Sequence, residues 1–147
     1  MMIIMAAAAA VSYCSYIGDS IAVGLESVDK TCSVYAKVGA GSDFITKHYV
    51  GKDRGDYTVV SMGSNDPKNP RLYQNAVKLR KSFKQAELVV WILPRDRRAA
   101  EVIRKVANQF QDNWVDLGKY PSNDNIHPKS YKQINKDIID GVMYYYN

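Results

Sequence analysis

Short apolar runs alternate with amphipathic stretches along the chain, and that alternation limits what it can fold into. The runs are Ser12–Ile17, Ser33–Val38, Tyr57–Met62, Leu88–Leu93 and Trp114–Leu117. Most are rich in Val, Ile, Tyr or Trp, and all are as short as buried strands. Between them, Leu72, Ala76, Leu79 and Phe83 form one apolar face within Arg71–Ala86. Ala99, Val102, Ile103, Val106 and Phe110 do the same within Arg97–Gln111, and Tyr131, Ile134, Ile138 and Val142 mark a last helix from about Pro128. Proline suits a first helical turn. Shorter helices are expected after Ser20 and after Ser42. A strict strand–helix alternation predicts an α/β fold, a parallel sheet with helices on both faces. In such sheets the ligand sits outside the carboxyl ends of the strands, so each loop that follows a strand is a candidate site loop.

The chain has 147 residues, of which 46% are apolar and 24% charged, an ordinary balance for one compact domain. That domain is expected over residues 12–147, preceded by an apolar extension, residues 1–11, reading MMIIMAAAAAV. No Lys or Arg precedes Lys30, so the extension lacks the basic region of a signal peptide. It is also shorter than the roughly 18 apolar residues of a membrane span. The compartment stays unassigned. The net charge of +5 lies wholly in residues 76–147, which carry 13 basic and 8 acidic groups against 7 and 7 before them. Such an excess either attracts an anionic polymer or coats solvated helices. No zinc finger, RNA-binding sheet signature or dense basic helix accompanies it, so nucleic acid is not an expected partner. No residue spacing calls for a metal or another cofactor.

The loops after the strands hold the chemistry. They read Gly18-Asp19-Ser20, Gly39-Ala40-Gly41-Ser42, Gly63-Ser64-Asn65-Asp66, Pro94-Arg95-Asp96 and Asp124-Asn125-Ile126-His127. Ser20 opens a helix, where its N–H is free and the helix dipole favours negative charge. A serine hydroxyl needs a base to become a nucleophile. His127, the histidine in a strand-end loop, is the candidate base. Asp124 is placed to accept its Nδ1–H and fix the tautomer that turns Nε2 toward Ser20. Asp116 ends the fifth strand nearby and competes for that role. The N–H groups of Ser20 and Gly41 and the Asn65 amide are candidate oxyanion donors. Gly39 is the alternative to Gly41.

With GDS at 18–20, a glycine after the second strand, GSND at 63–66 and DNIH at 124–127, the chain resembles the SGNH hydrolases, also called GDSL-type esterases and lipases. The resemblance runs from about Tyr16 to Tyr131. It implies a three-layer α/β/α sandwich similar to flavodoxin with about five parallel strands. It also implies Ser20 as nucleophile, Gly41 and Asn65 as oxyanion donors, and Asp124 and His127 as acid and base. Ile21 stands where the family usually has leucine. No long insertion fits in this length, so a shallow cleft without a large lid is expected, suited to short acyl groups, acetyl above all. The expected substrate is an ester, with an O-acetylated glycan or peptidoglycan favoured by family analogy.

Arg95, Arg97 and Arg98 follow the fourth strand at the same edge. They either bind an anionic part of the substrate or pair with Asp96 and Glu101 on the helix surface. Asp19 and Asp66 are expected to cap or brace their loops, and His48 to be structural or exposed. Cys14 and Cys32 fall on or beside neighbouring parallel strands, where a bridge fits poorly, so free buried thiols are expected. Tyr144–Tyr146 is read as a tail packed on the body or on a partner. The alternative to an esterase is an SGNH-like scaffold serving as a structural component of a larger assembly, such as a virus particle.

Overall fold

The computed structural model describes residues 14–147. The N-terminal extension, with Ser12 and Tyr13 of the first expected strand, lies outside the described residues. Strands β1 (Cys14–Gly18), β2 (Ser33–Ala36), β3 (Tyr57–Ser61), β4 (Leu88–Leu93) and β5 (Asn113–Asp116) alternate with helices α1 (Ser20–Val28), α2 (Ser42–Tyr49), α3 (Leu72–Lys81), α4 (Arg97–Gln109) and α5 (Tyr131–Tyr146). The strands form one parallel sheet in the order β2-β1-β3-β4-β5. The protein is a three-layer α/β/α sandwich of the flavodoxin-like kind.

Alternation along the strands divides the core in two. Tyr16, Val59, Val90 and Ile92 pack with Ile21, Leu25, Ile134, Ile138 and Val142, so α1 and α5 cover one face. Ile17, Val60, Trp91 and Leu93 pack with Ile45, Leu72, Leu79 and Ile103, so α2, α3 and α4 cover the other. Central strands β1, β3 and β4 are buried at every position, as a strand covered on both faces must be. Edge strands β2 and β5 are not.

Three helix boundaries differ from the periodicity. Helix α3 ends at Lys81 because Asp53 Oδ2 accepts the N–H groups of Gln85 and Ala86 at 2.6 and 2.7 Å and draws the chain away. Phe83 nevertheless stays buried. Helix α4 stops at Gln109, and Gln111 turns at φ 58°. Helix α5 starts at Tyr131, because Pro128 is held in an antiparallel bridge to Ser122 instead. At the far end of α5, Tyr146 Oη donates to the Asp56 carbonyl at 2.6 Å and fastens the tyrosine run to the body.

The expectation of free thiols is wrong. Cys14 and Cys32 form a disulfide, with Cα atoms 4.7 Å apart. The β1–β2 register pairs Ser15 with Ser33, which leaves the two cysteines opposite one another just before the ladder begins. Cys32 lies in the bend that precedes β2, outside the strand. Its backbone is not committed to ladder hydrogen bonds and can aim its Cβ at Cys14, so the objection to a bridge within parallel strands does not apply.

The bridge closes a loop across α1, with a sequence separation of 18. On chain-entropy grounds it contributes about 3 kcal/mol. Urea unfolding of the Cys14→Ser/Cys32→Ser double variant is expected to show a loss of that size. The reduced native protein should unfold at the same urea concentration as the variant; coincidence of the native midpoints with and without reductant would rule the bridge out.

Candidate functional site

The strand order reverses between β1 and β3, which places a crevice at their carboxyl ends. Gly18 ends β1 at φ +141°, and a Cβ there would lie 1.8 Å from the Ser61 carbonyl oxygen, so β1 and β3 meet closely enough to require glycine. The Asp19 N–H donates to that carbonyl. The Asp19 side chain turns inward, where its Oδ1 accepts the Ile21 N–H at 3.0 Å and the Ser61 hydroxyl at 2.8 Å. It thereby caps α1 and ties it to β3. Ser20 follows as the first residue of α1, half-buried at the crevice.

Ser20 Oγ lies 2.7 Å from His127 Nε2, and His127 Nδ1 lies 2.6 Å from Asp124 Oδ2. The sequence separates Ser20 from His127 by 107 positions, so only the folded chain brings them together. Asp124 Oδ1 also accepts the N–H groups of Ile126 and His127, at 2.9 and 2.7 Å, which folds DNIH into a tight turn. Hydrogen bonds from the His127 ring and from these two N–H groups hold the Asp124 carboxyl well below the usual carboxylate range. Asp124 therefore stays ionised and fixes the proton of His127 on Nδ1, leaving Nε2 as an acceptor for the Ser20 hydroxyl. Asp116, the competitor, is turned away and accepts from Arg97 and from the Gly118 N–H.

The two remaining loops are stitched together. The Asn65 side-chain amide donates to the Ala40 carbonyl at 2.9 Å, and its second N–H remains available. Asp66 Oδ2 accepts the Ser42 N–H at 2.9 Å, the Ser42 hydroxyl at 2.6 Å and the Asn69 amide at 2.9 Å. Gly41 occupies the N-cap of α2 at φ −84°, a conformation any residue can adopt. Its need for glycine is spatial, since a Cβ would sit 3.3 Å from the Asp66 carboxylate. Gly39, at φ +80° with open space around it, is explained by the turn alone. Among the described residues no acceptor meets the N–H of Ser20 or Gly41.

The arginines separate. Arg97 donates to Asp116 through both terminal nitrogens and to the carbonyls of Pro94 and Arg95, so its guanidinium is engaged in holding α4 to β5. Arg95 donates through Nη1 to the Leu117 and Tyr120 carbonyls and through Nε to Asn125 at 3.3 Å. Arg98 is exposed, and His48 is exposed with its ring against Phe44. Two residues escaped the sequence reading. Ser61 is one, as an ordinary strand serine with no signal of its own. The other is Gly24, which must be glycine because the Tyr131 ring lies over it so closely that a Cβ there would be 2.1 Å from it. Among the described residues no three His, Cys, Asp or Glu side chains form a metal-ligand set.

No protein-family model and no curated protein matches this chain. Its structure is similar to the C-terminal catalytic domain of Streptococcus pneumoniae peptidoglycan O-acetyltransferase A, solved with a methylsulfonyl adduct. The TM-score is 0.59 at 13% identity, over 90% of this chain and 92% of that one. The chain has an SGNH-like fold. At this identity the likeness concerns the fold, and the chemistry rests on the geometry of the chain's own residues. No helix among the described residues is long and apolar enough to cross a membrane.

Asp19 makes this site pH-sensitive in stability. Burial pushes its carboxyl up from 3.8 to about 6, against the hydrogen bonds from Ser61 and Ile21 that favour the ionised form. Among the described residues its Oδ2 is buried without a partner. Between those two values the native state keeps a proton that the unfolded chain has released, so stability falls as pH rises through that window. Two pH units correspond to about 3 kcal/mol. Asp19→Asn keeps an acceptor for Ser61 and Ile21 and is expected to remove that fall. Urea titrations at about pH 4 and about pH 7 read it directly. An equal slope in both proteins would show that Asp19 does not titrate there.

Proposed function

We propose that the protein is a serine ester hydrolase that removes short acyl groups, acetyl foremost, from a glycan. The observation that carries this is the continuous relay Ser20 Oγ–His127 Nε2 and His127 Nδ1–Asp124, at 2.7 and 2.6 Å. It stands at the carboxyl edge of the sheet, where among the described residues the N–H groups of Ser20 and Gly41 meet no acceptor. Ser20 Oγ attacks the ester carbonyl while its proton passes to His127 Nε2. The carbonyl π pair becomes the oxyanion, which faces the Ser20 and Gly41 N–H groups and the free Asn65 amide hydrogen. Collapse breaks the bond to the alkoxide, which takes the proton from His127. Water, deprotonated by the same nitrogen, then releases the acyl group and restores Ser20.

The glycan part of the reading is supported by two further facts. The structurally similar domain belongs to a peptidoglycan O-acetyltransferase. The Cys14–Cys32 disulfide suits an oxidising compartment, where extracellular glycans are found. Resolution of the acyl-enzyme by a sugar hydroxyl in place of water would make the same residues an acyltransferase. Product analysis with and without an added acceptor sugar separates the two.

Hydrolysis of p-nitrophenyl acetate, butyrate and octanoate is expected to slow as the acyl chain lengthens. Ser20→Ala and His127→Ala should each lower kcat by about a million-fold, and Asp124→Asn by about a hundred-fold less than that. Asn65→Ala should cost about a hundred- to a thousand-fold in kcat. A serine-directed fluorophosphonate should label Ser20. Equal turnover by native protein and Ser20→Ala would remove Ser20 from the reaction. Absence of both labelling and turnover would favour the scaffold reading.

A further inference from the structure

A cleft of about 230 Å³ lies beside the relay, lined by Ser64, Pro67, Arg95, Asp96, Asn125 and Ile126. Two of its walls belong to the site loops themselves. Ser64 precedes Asn65, and Asn125 and Ile126 precede His127. In the reaction above, His127 returns its proton to the leaving alkoxide, so the alcohol side of the ester lies on the His127 side of the reacting carbon. Through Asn125 and Ile126 the cleft adjoins the loop that carries His127.

Its chemistry is mixed in a particular way. Arg95 is half-buried and held rigid, with Nη1 on the Leu117 and Tyr120 carbonyls and Nε on Asn125 Oδ1. Among the described residues its Nη2 and the Asn125 amide nitrogen have no acceptor, so both remain as donors. Asp96 Oδ1 caps α4 through the Ala99 N–H at 2.9 Å, which leaves Oδ2 as an acceptor. Ser64 supplies a hydroxyl that does either. Ile126, 39% exposed, and Pro67 supply apolar surface. The Arg95 and Asp96 charges oppose one another, so the cleft offers no net field to an anion. Paired donors and acceptors with an apolar wall suit a ring that carries hydroxyls and C–H faces. The volume is below the about 300–1,000 Å³ of sites for drug-sized ligands, room for one ring.

We propose that this cleft is the subsite for the alcohol half of the ester and that it takes one neutral pyranose ring. This rests on the esterase reading of Ser20, His127 and Asp124, and it gives Arg95 a neutral partner where the sequence left an anionic substrate group and a helix-surface pairing both open.

The test titrates the native, isotope-labelled protein with the trisaccharide of N-acetylglucosamine, which carries no O-acetyl group and is not turned over. Amide shifts are expected to cluster at Ser64, Asn125 and Ile126. A trisaccharide of galacturonic acid should bind more weakly. Asp96→Asn keeps the α4 cap and should raise the Kd of the neutral sugar about tenfold, through loss of one charged acceptor. Shifts elsewhere, no shifts, or tighter binding of the uronic acid would overturn the proposal. Fluorophosphonate labelling of Ser20 is read in parallel. Labelling without sugar shifts strikes the subsite alone, whereas no labelling strikes the esterase reading on which it rests.

Discussion

The buried Asp19 carboxyl is the joint on which the site depends. It sits between β1 and β3, where Gly18 allows the two backbones to touch, and it binds both the Ser61 hydroxyl and the Ile21 N–H in the first turn of α1. A helix could leave β1 at many angles. Here the angle is set by a side chain that must keep its few partners, because none of its surface reaches water. Ser20 is the next residue, so its position is inherited from that joint rather than chosen by its own contacts. The cost is a buried carboxylate with one oxygen that meets no donor among the described residues.

The second half of the site is built by cross-bracing. Asn65 reaches the Ala40 carbonyl, and Asp66 reaches both polar groups of Ser42. Neighbouring residues of one loop therefore grip neighbouring residues of another, with Gly41 between them. The Ser42 hydroxyl in turn accepts from Asn75 on α3 at 2.9 Å. Any donor at Gly41 is thus set by the packing of α2 against α3. Preorganised donors lower a barrier only if they do not relax toward the substrate, and in the proposed reaction this bracing would hold the Gly41 N–H in place.

Much of this was legible in the sequence, for physical reasons. Strands covered on both faces must be apolar throughout, so β3 and β4 were visible within a residue. Gly39, Gly41 and Gly63 punctuate the loops where the chain must turn or approach closely. The parts that were not legible depend on register or on partners distant in sequence. Whether Cys14 faces Cys32 is decided by the β1–β2 register, which periodicity does not contain. The end of α3 is set by Asp53, and the partner of Arg97 is Asp116, across the sheet edge rather than on its own helix. Ser61 carries no signal at all, because its role appears only when β3 lies beside β1.

Two carboxylates hold the site from opposite environments. Asp124 is exposed and hydrogen-bonded, so its charge costs little and screening weakens its reach. Asp19 is buried and its ionisation is costly, so its value lies in position: it ties the start of α1 to β3. In the proposed reaction His127 becomes a cation when Ser20 loses its proton, and Asp124 stabilises that cation by contact and orientation. The hydrogen-bonded partner of His127 can therefore lie in an exposed turn while the carboxylate that fixes the start of α1 lies in the core. The order of the Ser20–His127–Asp124 chain thus comes from two independent constraints: local turn geometry holds Asp124 and His127, and a buried carboxylate holds the helix that begins with Ser20.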